Sequence, residues 1–189
     1  VRGSVASTRW ITQANGAGTV TFKDAVTIAA GDTATTLNGN VVLDGLTFLS
    51  AGAVPFGNAA TDTVTLSTAA VTLDVTGALT VESLVDGGQD LTLAVDGTTN
   101  FNAAVGDTTP LANLTITSAD DVTFSSTVKV TGNLTQTTGT GTTTFNDVTT
   151  VGGNEDVTNG TIVLIGNQLV TGSLTLTSTV GNIDIGDTD

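Results

Sequence analysis

The chain contains no cysteine, histidine, methionine or tyrosine among its 189 residues. Without cysteine there is no disulfide, no thiolate nucleophile, no iron–sulfur cluster and no Cys-ligated zinc. Without histidine the commonest general base and the commonest transition-metal ligand are missing. Aromatic residues make up 4% of the chain, six Phe and the single Trp10, so a core must come from Val, Leu, Ile and Ala. The only basic residues are Arg2, Arg9, Lys23 and Lys129, set against 18 acids for a net charge of −14. That balance excludes a nucleic-acid partner, which needs clustered Lys and Arg to neutralise phosphates. It also disfavours docking on anionic lipid. No apolar run approaches the roughly 18 residues of a membrane-spanning helix. The first residue is Val1, with no Met and no signal peptide, as expected of a processed or excised segment.

What is present is repetitive. The sequence holds 42 Thr and 23 Gly but only two Pro. Thr and Val are stiff at χ1 and suit a pleated surface better than a helix, and no window carries helical apolar spacing. Val122-Thr-Phe124-Ser-Ser-Thr-Val128-Lys-Val130 is followed by Thr131-Gly-Asn-Leu134-Thr135, and both halves recur. Val20-Thr-Phe22 repeats the first half; Thr76-Gly-Ala-Leu79-Thr80 and Thr171-Gly-Ser-Leu174-Thr175 repeat the second. Short strands alternating apolar residue and Thr, separated by Gly/Asn/Asp turns, define a repetitive all-β chain. The pattern predicts strands over 19–28, 40–48, 63–66, 71–75 and 91–95, and so on to 183–185.

Phe101, Phe124 and Phe145 recur at intervals of 23 and 21 residues, and Phe22 and Phe48 lie 26 apart. Such intervals fit one coil of a parallel β-helix with two or three strands, giving about 7–9 coils. A stacked Phe ladder is then expected inside, with Thr outside. A tandem pair of Ig-like sandwiches of about 90 residues each would instead show a repeat near that length and a richer aromatic core. Residues 1–18, with two of the four bases and Trp10, are expected to form an N-terminal cap or contact segment, and 19–189 the solenoid. Residues 49–62, with Pro55 and Phe56, are the one stretch expected to break the repeat as a loop insertion.

Phe101-Asn-Ala-Ala-Val-Gly-Asp-Thr-Thr-Pro-Leu-Ala-Asn-Leu-Thr-Ile-Thr117 resembles a unit of the β-strand-repeat surface proteins of bacteria. These are related to filamentous-haemagglutinin-type and autotransporter-type adhesins. The resemblance, carried more loosely over 19–185, implies a right-handed parallel β-helix at the bacterial cell surface or released from it. It transfers no binding residue, because such repeats are scaffold.

The acids offer the only chemistry to weigh. Pairs such as Asp120-Asp121, Glu155-Asp156 and Asp86 with Asp90 would need a cleft and opposed pKa values to act as glycosidic catalysts. They sit beside Gly and Asn, where Asp favours turns, so no catalytic residue is expected and the chain reads as a non-enzyme. No cofactor is implied. Ca²⁺ is the one metal the donors suit, at Asp120, Asp121, Glu155 and Asp156, although no EF-hand loop or glycine-rich nonapeptide is present. Asn113, Asn133 and Asn159 begin glycosylation sequons, and Asn in turns can equally stack as ladders. Arg2, Arg9 and Trp10 near one end and Asp184, Asp187 and Asp189 near the other suggest head-to-tail self-assembly, a heterologous contact that makes filaments. The expected function is an extracellular structural or adhesive solenoid, as filament subunit or as stalk segment of a large adhesin. Its partners would be copies of itself, neighbouring repeats, or cell-surface or matrix glycans. A carbohydrate- or host-binding module is the alternative, with a polysaccharide-degrading β-helix behind it.

Overall fold

The structure, a computed structural model, describes residues 4–7, 11–14, 16, 18–29 and 35–186. Every strand pair in it is parallel, and the strands stack as a β-solenoid of about 8 turns. Each coil contributes to three faces. The first face is a nine-stranded sheet running from Val5–Ser7 through Val71–Val75 and Leu91–Val95 to Leu174–Ser178. The second, also nine-stranded, runs from Thr12–Gln13 through Val122–Phe124 to Ile183–Ile185. The third consists of a four-stranded sheet from Thr19–Phe22 to Leu84–Asp86 and a three-stranded sheet from Val128–Val130 to Gln168–Val170. Single bridges from Val85 to Val105 and from Val105 to Val128 join these two pieces. Between Val105 and Leu111 the chain leaves the wall, with Gly106 at φ +74°, and Leu111 rejoins it opposite Val130. With coils about 4.8 Å apart, eight make a rod of roughly 40 Å. Parallel pairing throughout rules out the sandwich alternative, whose sheets are antiparallel.

The alternation of apolar residue and Thr sets which side chains face in. Leu91–Val95 alternates buried and half-buried positions, and so does Val71–Val75. Register then stacks like on like: Val71, Leu91, Leu114 and Leu134 form one inner column of the first face. On the second face Phe101, Phe124 and Phe145 stack with ring centroids 5.1 and 5.0 Å apart and planes within 8° and 11° of parallel. Phe22 and Phe48 are not a ladder pair. They belong to the third and first faces and meet edge to face at 5.8 Å. Their 26-residue interval therefore measures no coil.

Two expected strands are each two. Residues 19–28 divide into Thr19–Phe22 and Val26–Ile28, because residues 23–25 are all exposed and break the period of two at a corner. Residues 40–48 divide at Gly45, whose φ of +63° turns the chain between Asn40–Leu43 and Thr47–Ser50. The stretch 49–62 is an insertion only at its end: Phe56 to Val64 spans more residues than Leu37 to Val41 or Val81 to Val85, while the rest of it is wall. Val54–Phe56 pairs with Leu79–Val81, Phe56 is buried, and only the turn at 58–61 stands proud. From the segment 1–18, Val5–Ser7 and Thr12–Gln13 pair with Val26–Ile28 and Thr36–Leu37.

The recurring Gly-Asn-Leu corner has a physical basis. The Asn133 backbone N–H donates to the Asn113 side-chain oxygen at 2.7 Å, Asn154 N–H to that of Asn133 at 2.8 Å, and Ser173 N–H to that of Asn154 at 3.0 Å. Asn113 in turn donates to Asp90 at 2.7 Å. A Cβ on Gly132, Gly153 or Gly172 would land on the carboxamide oxygen of the coil before. Glycine is required there for close approach, and the Asn ladder satisfies backbone donors that a corner would otherwise leave open.

Candidate functional site

The distinctive surface is the edge formed by the outermost described coil. Ile162 and Leu164 are 0% and 1% exposed, whereas their register partners one coil on, Ile183 and Ile185, are 41% and 69% exposed. Leu174, which covers Glu155, is 44% exposed, and Leu169 and Val180 are open as well. A recess of about 260 Å³ lies here between Leu164, Gln168, Leu174 and Ile185. Leu174, Ile183 and Ile185 occupy inward ladder positions, in register with buried Glu155, Ile162 and Leu164, whereas Leu169 follows outward Lys129 and Thr150 and Val180 lies in a turn.

The expected self-assembly residues are placed only in part. Asp184 projects from this edge on Ile183–Ile185 and is exposed. Arg2, Arg9, Trp10, Asp187 and Asp189 lie outside the described residues.

The calcium candidates do not converge. Asp121 accepts the Thr142 N–H at 2.7 Å and Asp120 accepts the Thr140 hydroxyl at 3.3 Å, so both serve their turn. Glu155 points into the solenoid and Asp156, next on the strand, points out. Among the described residues no three acids lie together as a metal would need. Asp86 accepts the Thr108 and Thr109 N–H groups and Asp90 accepts from Asn113, again as corner chemistry. Of the sequon residues, Asn159 is fully buried. Its amide donates to the Thr143 hydroxyl at 2.7 Å, and Thr143 donates to Gln136 at 2.7 Å. This internal polar network bridges the first two faces. Asn113 and Asn133 are committed to the corner ladder described above.

Glu155 is the one buried acid among the described residues. It follows Val71, Leu91, Leu114 and Leu134 in one inner column and precedes Leu174. It has no exposed surface, and neither carboxylate oxygen has a hydrogen-bond partner. Burial alone raises its pKa from 4.5 to about 7. A signal for it existed in the sequence: Gly153-Asn154-Glu155 aligns with Gly132-Asn133-Leu134 and Gly172-Ser173-Leu174. That alignment puts an acid where each neighbour has leucine.

No described helix is long and apolar enough to cross a membrane. Compared with protein-family models, curated proteins and solved structures, the chain finds no match in any of the three.

Proposed function

We propose that this chain is a non-catalytic structural β-solenoid that extends head to tail, its outermost coil receiving the first coil of another copy, at an extracellular, bacterial-surface location. One observation carries the reading: inward ladder residues that are buried in every interior coil stand open on Ile183–Ile185 and at Leu174. An uncovered ladder exposes both apolar surface and unpaired strand edges, and a parallel coil of the same kind satisfies both. The acids engaged in corners, rather than gathered in a cleft, favour scaffold over catalysis. The surface location rests on the resemblance of residues 101–117 to bacterial surface repeats. A second reading, a stalk segment inside a longer solenoid, draws on the same open ladder, with the next coil supplied in cis.

Light scattering and electron microscopy on the isolated chain separate the two. Self-stacking predicts rods whose mass grows with concentration, and Ile185→Asp, which puts a charge on the open ladder, returns them to monomer. A strict monomer at the highest soluble concentration removes self-stacking and leaves the stalk.

A further inference from the structure

The inner wall near this edge is chemically unlike the rest. Among the described residues, four of the six buried side-chain atoms without a hydrogen-bond partner belong to Thr149, Glu155 and Gln168, and Gln168 stacks on Thr149 in register. By contrast Asn159, at the far end of Glu155's own strand, and Gln136 and Thr143 before it are satisfied by one another. Glu155 therefore sits under Leu174, which is itself 44% exposed and is the last described layer of that column.

We infer that Glu155 is a pH-sensitive latch for the coil stacked on it, the outermost described one: protonated, it lets the 168–185 coil stay docked, and ionised, it forces that coil open. An ionised carboxylate with no partner in an apolar column is strongly disfavoured, and the cheapest relief is to admit water. Of its two neighbours in the column, Leu134 is backed in turn by Leu114 and Leu91, whereas no described coil lies over Leu174, so the 168–185 coil is the one that gives way. No charge compensates from any packed element. Leu134–Gln136, Leu174–Ser178, Thr161–Leu164 and Thr149–Val151 carry no ionisable side chain, and Asp156 on Glu155's own strand faces outward. Lys129, on the third face, is engaged with Asp107. Stability of this coil is therefore fullest below the ordinary glutamate range. It falls as pH rises from about 4.5, and the fall is complete above about 7. Opening the coil also dismantles the edge on which stacking is proposed. The latch itself holds in a dilute monomer, so the two ideas fail separately.

Amide hydrogen exchange on the dilute full chain tests this. Exchange of Leu174–Ser178 and Ile183–Ile185 is referred to Leu91–Val95 in the same sample, which cancels the common base catalysis. Between pH 5 and 8 the relative protection is expected to fall roughly a hundred-fold, most of the tenfold per unit that the shift allows. Glu155→Gln abolishes the pH dependence whatever its absolute protection, Glu155→Leu keeps the coil closed at both pH values, and the outward neighbour's variant Asp156→Asn retains the fall. Constant relative protection in the native chain overturns the latch, as does the same fall in Glu155→Gln.

Discussion

Single residues decide two things here: where the corners close and how the outermost coil responds to pH. Asn133 accepts from Asn154, and Gly153 leaves room for it. Asn133→Ala therefore leaves a corner donor without its partner, at a cost of about 1 kcal/mol. Gly153→Ala, whose Cβ displaces the same carboxamide, costs a similar or larger amount. Because both act on one hydrogen bond, urea unfolding of the double variant should show less than the sum of the two. Glu155 works in the opposite sense, as a native residue that weakens its surroundings. Raising a carboxyl from 4.5 to about 7 corresponds to a destabilisation of about 3 kcal/mol at neutral pH, absent below the ordinary glutamate range. Glu155→Leu completes the leucine column and should raise the melting temperature at pH 8 more than at pH 5, read by circular dichroism. An equal gain at both would show that ionisation is not the cause.

At the level of strands and ladders, the parallel Phe101–Phe124–Phe145 stack runs through the core, each ring buried and in register across three coils. Phe124, with a ring on either side, is its keystone. Phe124→Ala removes both stacking contacts and leaves a cavity, costing about 3–5 kcal/mol, and Phe124→Leu should cost clearly less. Guanidinium unfolding of the two variants checks the order. Strands of this kind were legible from sequence wherever apolar residues alternate with Thr: Val71–Val75, Leu91–Val95, Val122–Phe124 and Ile183–Ile185 are examples. Glu155–Asn159 was not, because Glu-Asp-Val-Thr-Asn reads as a polar loop and only pairing with Leu134 and Leu174 makes it a wall. Val54–Phe56 hid behind Pro55, which lies at a half-buried, outward position between buried Val54 and Phe56. The corner at 23–25 carries no Gly or Asn, so 19–28 read as one strand; within 40–48 the turn signal Asp44-Gly45 was present but the apolar run on either side of it read as continuous.

For the molecule as a whole, stability is a sum over coils and the interfaces between neighbours, so cooperativity is local and outer coils are weakest. Exchange at low pH should still grade along the rod, with Leu91–Val95 and Leu114–Ser118 slowest and Ile183–Ile185 fastest. Uniform protection would mean that the chain unfolds as one unit. Self-stacking reverses this order at the covered edge. It should also strengthen with salt, since copies carrying −14 each repel at long range.

The sequence by itself determined the all-β class, the coil length and the alternation of outward residues, mostly Thr, with inward Val, Leu and Phe, but not that Thr99, Thr143 and Thr149 would be turned inward. Those follow from a period of two along each strand and a spacing of about twenty residues between coils, both local properties of the chain. Only the tertiary structure decided which residue lies on which. Register across coils is a long-range fact, and it alone places Glu155 between two leucines, hides Asn159 within the wall and leaves Ile183 and Ile185 uncovered.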